Sequence, residues 1–186
     1  MSPTNRGTRV YINEIAHDAD GSLLNEAIEV AILTGRGITA SQVSVELIDG
    51  TTGLVYRTMS VSVDFTIGQT YCIGTPNQVT LFFITFSLVS DAIQDGPADG
   101  IAIGIDGVLE EHLVYNKTQG DTYAPVTQGM ANGTTPEDTG IFGPHPINFG
   151  FSRVGTARPR DPRDFTWGLR IATLGSVNNG QMFVCT

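Results

Sequence analysis

The chain has 186 residues, 40% of them hydrophobic, which is enough for a sizeable core and too apolar for a disordered tail. Its longest apolar run, 80–89, is about half of what a bilayer-crossing helix needs. Nineteen acidic against ten basic residues give a net charge of −9, a field that repels phosphate backbones and argues against nucleic acid as a partner.

Residues 8–16 alternate, with Val10, Ile12 and Glu14 on one face and Tyr11, Asn13 and Ile15 on the other. They predict a strand, ended by the turn-rich 17–22. Residues 26–33 predict a second strand with Ile28, Val30 and Ile32 on one face, although 23–29 also favours helix locally. Strands follow at 42–48, 53–63 and, centrally, 81–89. Residues 100–105 and 108–115 are apolar runs parted by Asp106-Gly107, the pattern of a hairpin with a type I′ turn. The 22 glycines fit a chain in which many short strands need turns, and the length fits one large all-β domain. From Asn116 to Pro146 no period persists, and so long a connection predicts an ordered excursion over one end of the sandwich. Strands return at 147–154 and 165–171. No repeat, heptad or linker interrupts the chain, so one domain is expected over 1–186, with 1–7 as an amino-terminal arm.

Cys72 and Cys185 are expected to form a disulfide that fastens the carboxy-terminal strand; two buried thiols are the alternative. In the acidic loop, Asp18 and Asp20, with Glu26 beyond, are the candidate ligands for calcium, which takes six to eight oxygens. Leu23 occupies the place where an EF-hand needs glycine, so a solvated acidic turn is the expectation and no cofactor is required. Glu14 and Glu29 share faces with apolar neighbours, and Arg153 or Arg170 is expected to pair with them. His17, His112 and His145 have no zinc-ligand spacing. Nucleophile elbow, P-loop and dinucleotide fingerprint are all missing, so an enzyme has no motif to rest on. Asn116-Lys-Thr118 and Asn132-Gly-Thr134 are candidate glycosylation sequons. Met1-Ser-Pro-Thr4 has neither the basic nor the apolar region of a secretory signal. The loop 158–164 carries Arg158, Arg160 and Arg163 with two aspartates between prolines. Its charges are expected to pair with one another, and it is also the best candidate contact surface.

Val10-Tyr-Ile-Asn-Glu-Ile15, Asn25-Glu-Ala-Ile-Glu-Val30, Phe165-Thr-Trp167 and Leu174-Gly-Ser-Val-Asn-Asn-Gly-Gln181 together resemble the opening strands and closing segment of a lamin-tail domain in its long bacterial form. Ile93-Gln-Asp-Gly-Pro-Ala-Asp-Gly-Ile-Ala102 and Leu109-Glu-Glu-His-Leu-Val-Tyr115 resemble the stretch around that family's central hairpin. The chain departs from the pattern at Ser41-Gln42-Val43, where members often have Gly-Trp. The resemblance implies an all-β, immunoglobulin-like sandwich that acts as a recognition or scaffolding domain rather than an enzyme. A structural or interaction module is therefore expected, self-associating or part of a larger extracellular or particle assembly. A calcium- or glycan-binding adhesion module is the alternative. A size measurement on the purified chain separates the two.

Overall fold

The computed structural model describes residues 9–17, 25–34, 38–60, 68–75, 78–89, 92–143, 146, 148–158 and 162–185. The expected arm at 1–7 lies outside them. The described residues form strands β1 (Arg9–Ala16), β2 (Asn25–Thr34), β3 (Val43–Asp49), β4 (Leu54–Ser60), β5 (Gln69–Tyr71), β6 (Val79–Val89), β7 (Asp99–Ile105), β8 (Val108–Tyr115), β9 (Glu137–Asp138), β10 (Phe149–Ala157), β11 (Thr166–Ile171) and β12 (Gln181–Phe183). One sheet runs β11-β10-β1-β2-β6-β5 with β12 beside β10, and the other runs β4-β3-β7-β8-β9. The two pack as the all-β, immunoglobulin-like sandwich expected. Among the described residues, no helix is long and apolar enough to cross a membrane.

The main core lies between the sheets, where Ile12, Ile28 and Phe86 of one meet Val45, Ile103 and Leu113 of the other. Each such side chain contributes about 1.5–3 kcal/mol by leaving water. The hairpin β7–β8 turns through Asp106 at φ 51° and Gly107 at φ 77°, the paired positive angles of the expected type I′ turn.

β1 departs from simple alternation. Ile12 pairs with Val30 and Glu14 with Glu29, so Asn13 is an extra residue, a β-bulge. The bulge sends Ile15 into the main core with Ile12 and turns Glu14 to the sheet's outer face, where it bonds Ser152. The expected grouping of Glu14 with Ile12 is therefore corrected, because one inserted residue reverses every side chain after it.

Each sheet carries a cover on its outer face. The excursion is ordered, as expected, and packs on its own sheet: Val126 and Ala131 lie with Ile48 and Ala102 on the face of the second sheet. Its two-residue strand β9 pairs in parallel with β8 and occupies that sheet edge. On the first sheet, Val177 and Phe183 pack against Tyr11, Leu33 and Phe83, and the carboxy-terminal segment 172–185 forms a strap there.

Candidate functional site

β10 pairs with β1 only at Glu14↔Ser152 and Ile15↔Phe151, and beyond that point its far end pairs in parallel with β12. Where the strands part, side chains replace the ladder. The Asn178 amide donates to the backbone oxygens of Asn13 (2.8 Å) and Arg153 (3.2 Å), and Gln181 donates to Asn13 Oδ1 (3.0 Å). Arg153, fully buried, donates through Nε to Ile12 O at 2.8 Å and through Nη1 to Pro162 O at 3.1 Å. Its Nη2 pairs with Glu111 of β8, whose other carboxylate oxygen accepts the Ile12 N–H at 2.6 Å. The guanidinium also lies 4.6 Å from the centre of the Trp167 ring, so one cation joins both sheets and the closing tryptophan. Burial pushes the Glu111 carboxyl up, and the Arg153 charge pulls it back.

This clasp forms the floor of the strongest candidate surface. A hollow of about 290 Å³ is lined by Val10, Tyr11, Leu109, Glu111, Pro162 and Arg163. A second, of about 320 Å³, shares Glu110, Glu111 and Arg163 with it and extends past Thr134 to Glu137. Pro162–Asp164 form a single 3-10 turn in which Pro162 is buried and Arg163 exposed. Arg158, just after β10, is exposed too. Neither arginine forms an ion pair among the described residues, and Asp161, one of the two expected carboxylate partners, lies outside them. Arg160 lies outside the described residues.

A third hollow, of about 410 Å³, sits inside the excursion between Lys117, Asp121, Tyr123, Val126, Thr134 and Asp138. Its walls are held by β8. The Thr134 hydroxyl donates to Ala131 O at 2.7 Å, so it accepts from His112 Nδ1–H at 2.9 Å. His112 Nε2 is then the bare nitrogen that accepts the Tyr123 hydroxyl at 2.9 Å. Burial lowers His112 to about 4, so the ring is neutral at neutral pH and this tautomer persists. Tyr123 fits because Gly100 lies beneath it; a Cβ there would stand 2.1 Å from the tyrosine hydroxyl.

The remaining candidates are placed as follows. Cys72 and Cys185 form the expected disulfide, with Cα atoms 5.0 Å apart, and it ties the end of the strap to the segment after β5. Glu26 is buried and accepts the backbone N–H groups of Ala92 and Ile93, each at 2.7 Å, so its carboxylate anchors a turn. Asp18 and Asp20 lie outside the described residues, as does His145. No three His, Cys, Asp or Glu gather as a metal set among the described residues. The Asn116 amide donates to Asp95 O and accepts from Gly143 N–H, whereas Asn132 is exposed.

The expected arginine partners of Glu14 and Glu29 are corrected. Arg153 belongs to Glu111, and Arg170 is exposed and donates to Leu169 O. Both glutamates are instead fully buried and take neutral donors: Ser152 and the Thr173 N–H for Glu14, Asn13 and the Gly175 N–H for Glu29. Sequence reasoning did not single out Glu111 or Asn178 as individual residues. Glu111 lies between Glu110 and His112, with no apolar neighbour to mark it, whereas the turn around Asn178 was an available signal. Compared with known proteins, the chain matches no family model, no curated protein and no solved structure.

Proposed function

We propose that the chain is a non-enzymatic structural and interaction module of the lamin-tail kind, a subunit of a larger extracellular or particle assembly. It meets acidic faces of its own copies through Arg158, Arg160 and Arg163. The observation that carries this reading is the exposure of Arg158 and Arg163, outside any ion pair among the described residues, on a protein of net charge −9. A free guanidinium fork on an acidic molecule is drawn to acidic surfaces on identical copies, and charge complementarity of this kind raises association rate and fixes orientation. The hollow beside Arg163 gives the contact a concave seat. Sedimentation of the purified chain at low and moderate salt tests it: the parent chain self-associates, more weakly as salt rises, and the Arg158→Ala/Arg160→Ala/Arg163→Ala chain sediments as a monomer with unchanged melting. Equal association of parent and variant removes this surface as the interface.

A second reading, sugar binding, is favoured by the hollow in the excursion. Tyr123, Asp121, Asp138, Lys117 and Thr134 offer an aromatic wall with acceptors and donors for ring hydroxyls. Two carboxylates against one ammonium select a neutral sugar over an acidic one. Titration of the labelled chain with methyl mannoside and methyl galactoside, read by the Tyr123 and Thr134 amide signals, tests it; signals unmoved by both sugars reject this reading.

A further inference from the structure

We propose that Glu14 and Glu29 form a pH-sensitive latch that holds the turn at 173–176 most tightly in acid and loosens it progressively as the pH rises. The two residues are direct neighbours across β1 and β2, and both are fully buried on the sheet's outer face. Each grips the same turn. Glu14 Oε2 accepts the Thr173 N–H at 3.0 Å, and Glu29 Oε2 accepts the Gly175 N–H. Their other oxygens take neutral donors, the Ser152 hydroxyl at 2.9 Å and the Asn13 amide at 2.8 Å.

Among the described residues no cation pairs with either carboxyl: Arg170 of β11, the cation on this face, is exposed and donates to Leu169 O. On β1 the titratable neighbour is Tyr11, beside the bulge. On β6 the residue across from Glu29 is Thr85. On β10 the facing residue is Ser152, and the guanidinium of Arg153 is spent on Ile12, Pro162 and Glu111. The strap presents Thr173, Gly175, Ser176 and Asn178, all neutral. Two carboxylates in so dry a place cannot both ionise cheaply.

The titration follows that geometry. Burial pushes the Glu29 carboxyl up to about 8 from an ordinary 4.5; the Asn13 and Gly175 donors pull it back in part, and the nearby Glu14 pushes it further up. Burial raises Glu14 as well. Once the turn lifts, water reaches Glu29 and its carboxyl returns towards 4.5. Protons therefore favour the closed form. Closure is strongest below about 4.5 and weakens through about 8, by at most tenfold in the opening equilibrium for each pH unit. Opening carries Val177 away from the apolar cluster of Tyr11, Ala31 and Leu33. β12 and the Cys72–Cys185 bond hold the far end of the strap, so the turn can close again.

Carbon-13 NMR of the glutamate-labelled full chain, with amide exchange corrected for intrinsic rates, tests the latch. One glutamate carboxyl is expected to titrate near pH 8, and protection of the Thr173 and Gly175 amides should fall at least tenfold between pH 6 and pH 9. Glu29→Gln should abolish that loss of protection, and Glu14→Gln should move the Glu29 midpoint to lower pH. The latch is overturned if every glutamate carboxyl in the parent chain titrates below pH 6, or if the two amides are equally protected at pH 6 and pH 9. Both readouts use the parent chain, so they stand even if a variant fails to fold.

Discussion

The two covers of the sandwich solve one problem with opposite chemistry. On the second sheet, the excursion at 116–143 is held by a neutral imidazole that needs to stay unprotonated. On the first, the strap at 172–185 is held by paired carboxyls, one of which needs its proton. Burial drives both shifts, because a low-dielectric site penalises whichever form is charged. For a base the charged form is acidic and for an acid it is alkaline, so the same burial gives covers with reversed pH dependence. Falling pH loosens the excursion, and rising pH loosens the strap.

The largest expected effect comes from cutting the strap's covalent tether. Cys185→Ser should lower global stability by about 2–4 kcal/mol, since the bond closes a loop of 113 residues. Amide exchange should speed up along the strap and leave the excursion unchanged; equal loss in both covers would mean that they do not behave as separate units. A smaller loss, about 1–3 kcal/mol, is expected for Gly100→Ala, which drives a methyl group into the Tyr123 hydroxyl. Its damage should be confined to the excursion and read as fast exchange at 123–134, with the strap amides unmoved. The smallest effect is a slope. His112 ionises at an ordinary 6.5 when exposed and at about 4 when buried, so the excursion's hold is full above about 6.5 and declines as pH falls towards 4. Protonated Nε2 can no longer accept from Tyr123, and that tyrosine's signals should be the first to move. His112→Gln should flatten the slope, and an undiminished acid loss in that variant would assign it to another group.

What could be read in advance was local. Asp106-Gly107 between two apolar runs specifies its hairpin without help from the rest of the chain, and the opening alternation and the central run around Phe83 are equally self-contained. Gln181–Phe183 are three residues whose partners, Gly155–Ala157, lie on the far side of β11, so no window along the chain contains the pairing. β9 is shorter still and borrows its order from β8. Glu14 was misplaced because a bulge is decided by what the sheet must accommodate on both faces, here Ile15 inside and the strap outside. Arg153 is a candidate partner for Glu14 or Glu29 in the sequence; in the fold it crosses to Glu111, whose carboxylate also accepts the Ile12 N–H. The exposure of Arg158 and Arg163 in the charged loop 158–164 was legible from composition, since charged side chains keep to the surface.

The clasp at Ile12 has a mechanical consequence. Tension arriving through the segment ahead of β1 meets a ladder of backbone bonds to β2 on one flank. On the other flank β10 pairs with it only from Glu14 onward, and at Ile12 side chains take over, with Glu111 holding the amide and Arg153 the carbonyl. A ladder in shear yields only when many bonds break together, whereas a clasp can let go at a single pair. The pair is buried, so added salt screens it little and its grip under load stays nearly constant in brine and in dilute buffer. Load on β1 is thus shared with the second sheet through Glu111, as well as with β2 through the ladder.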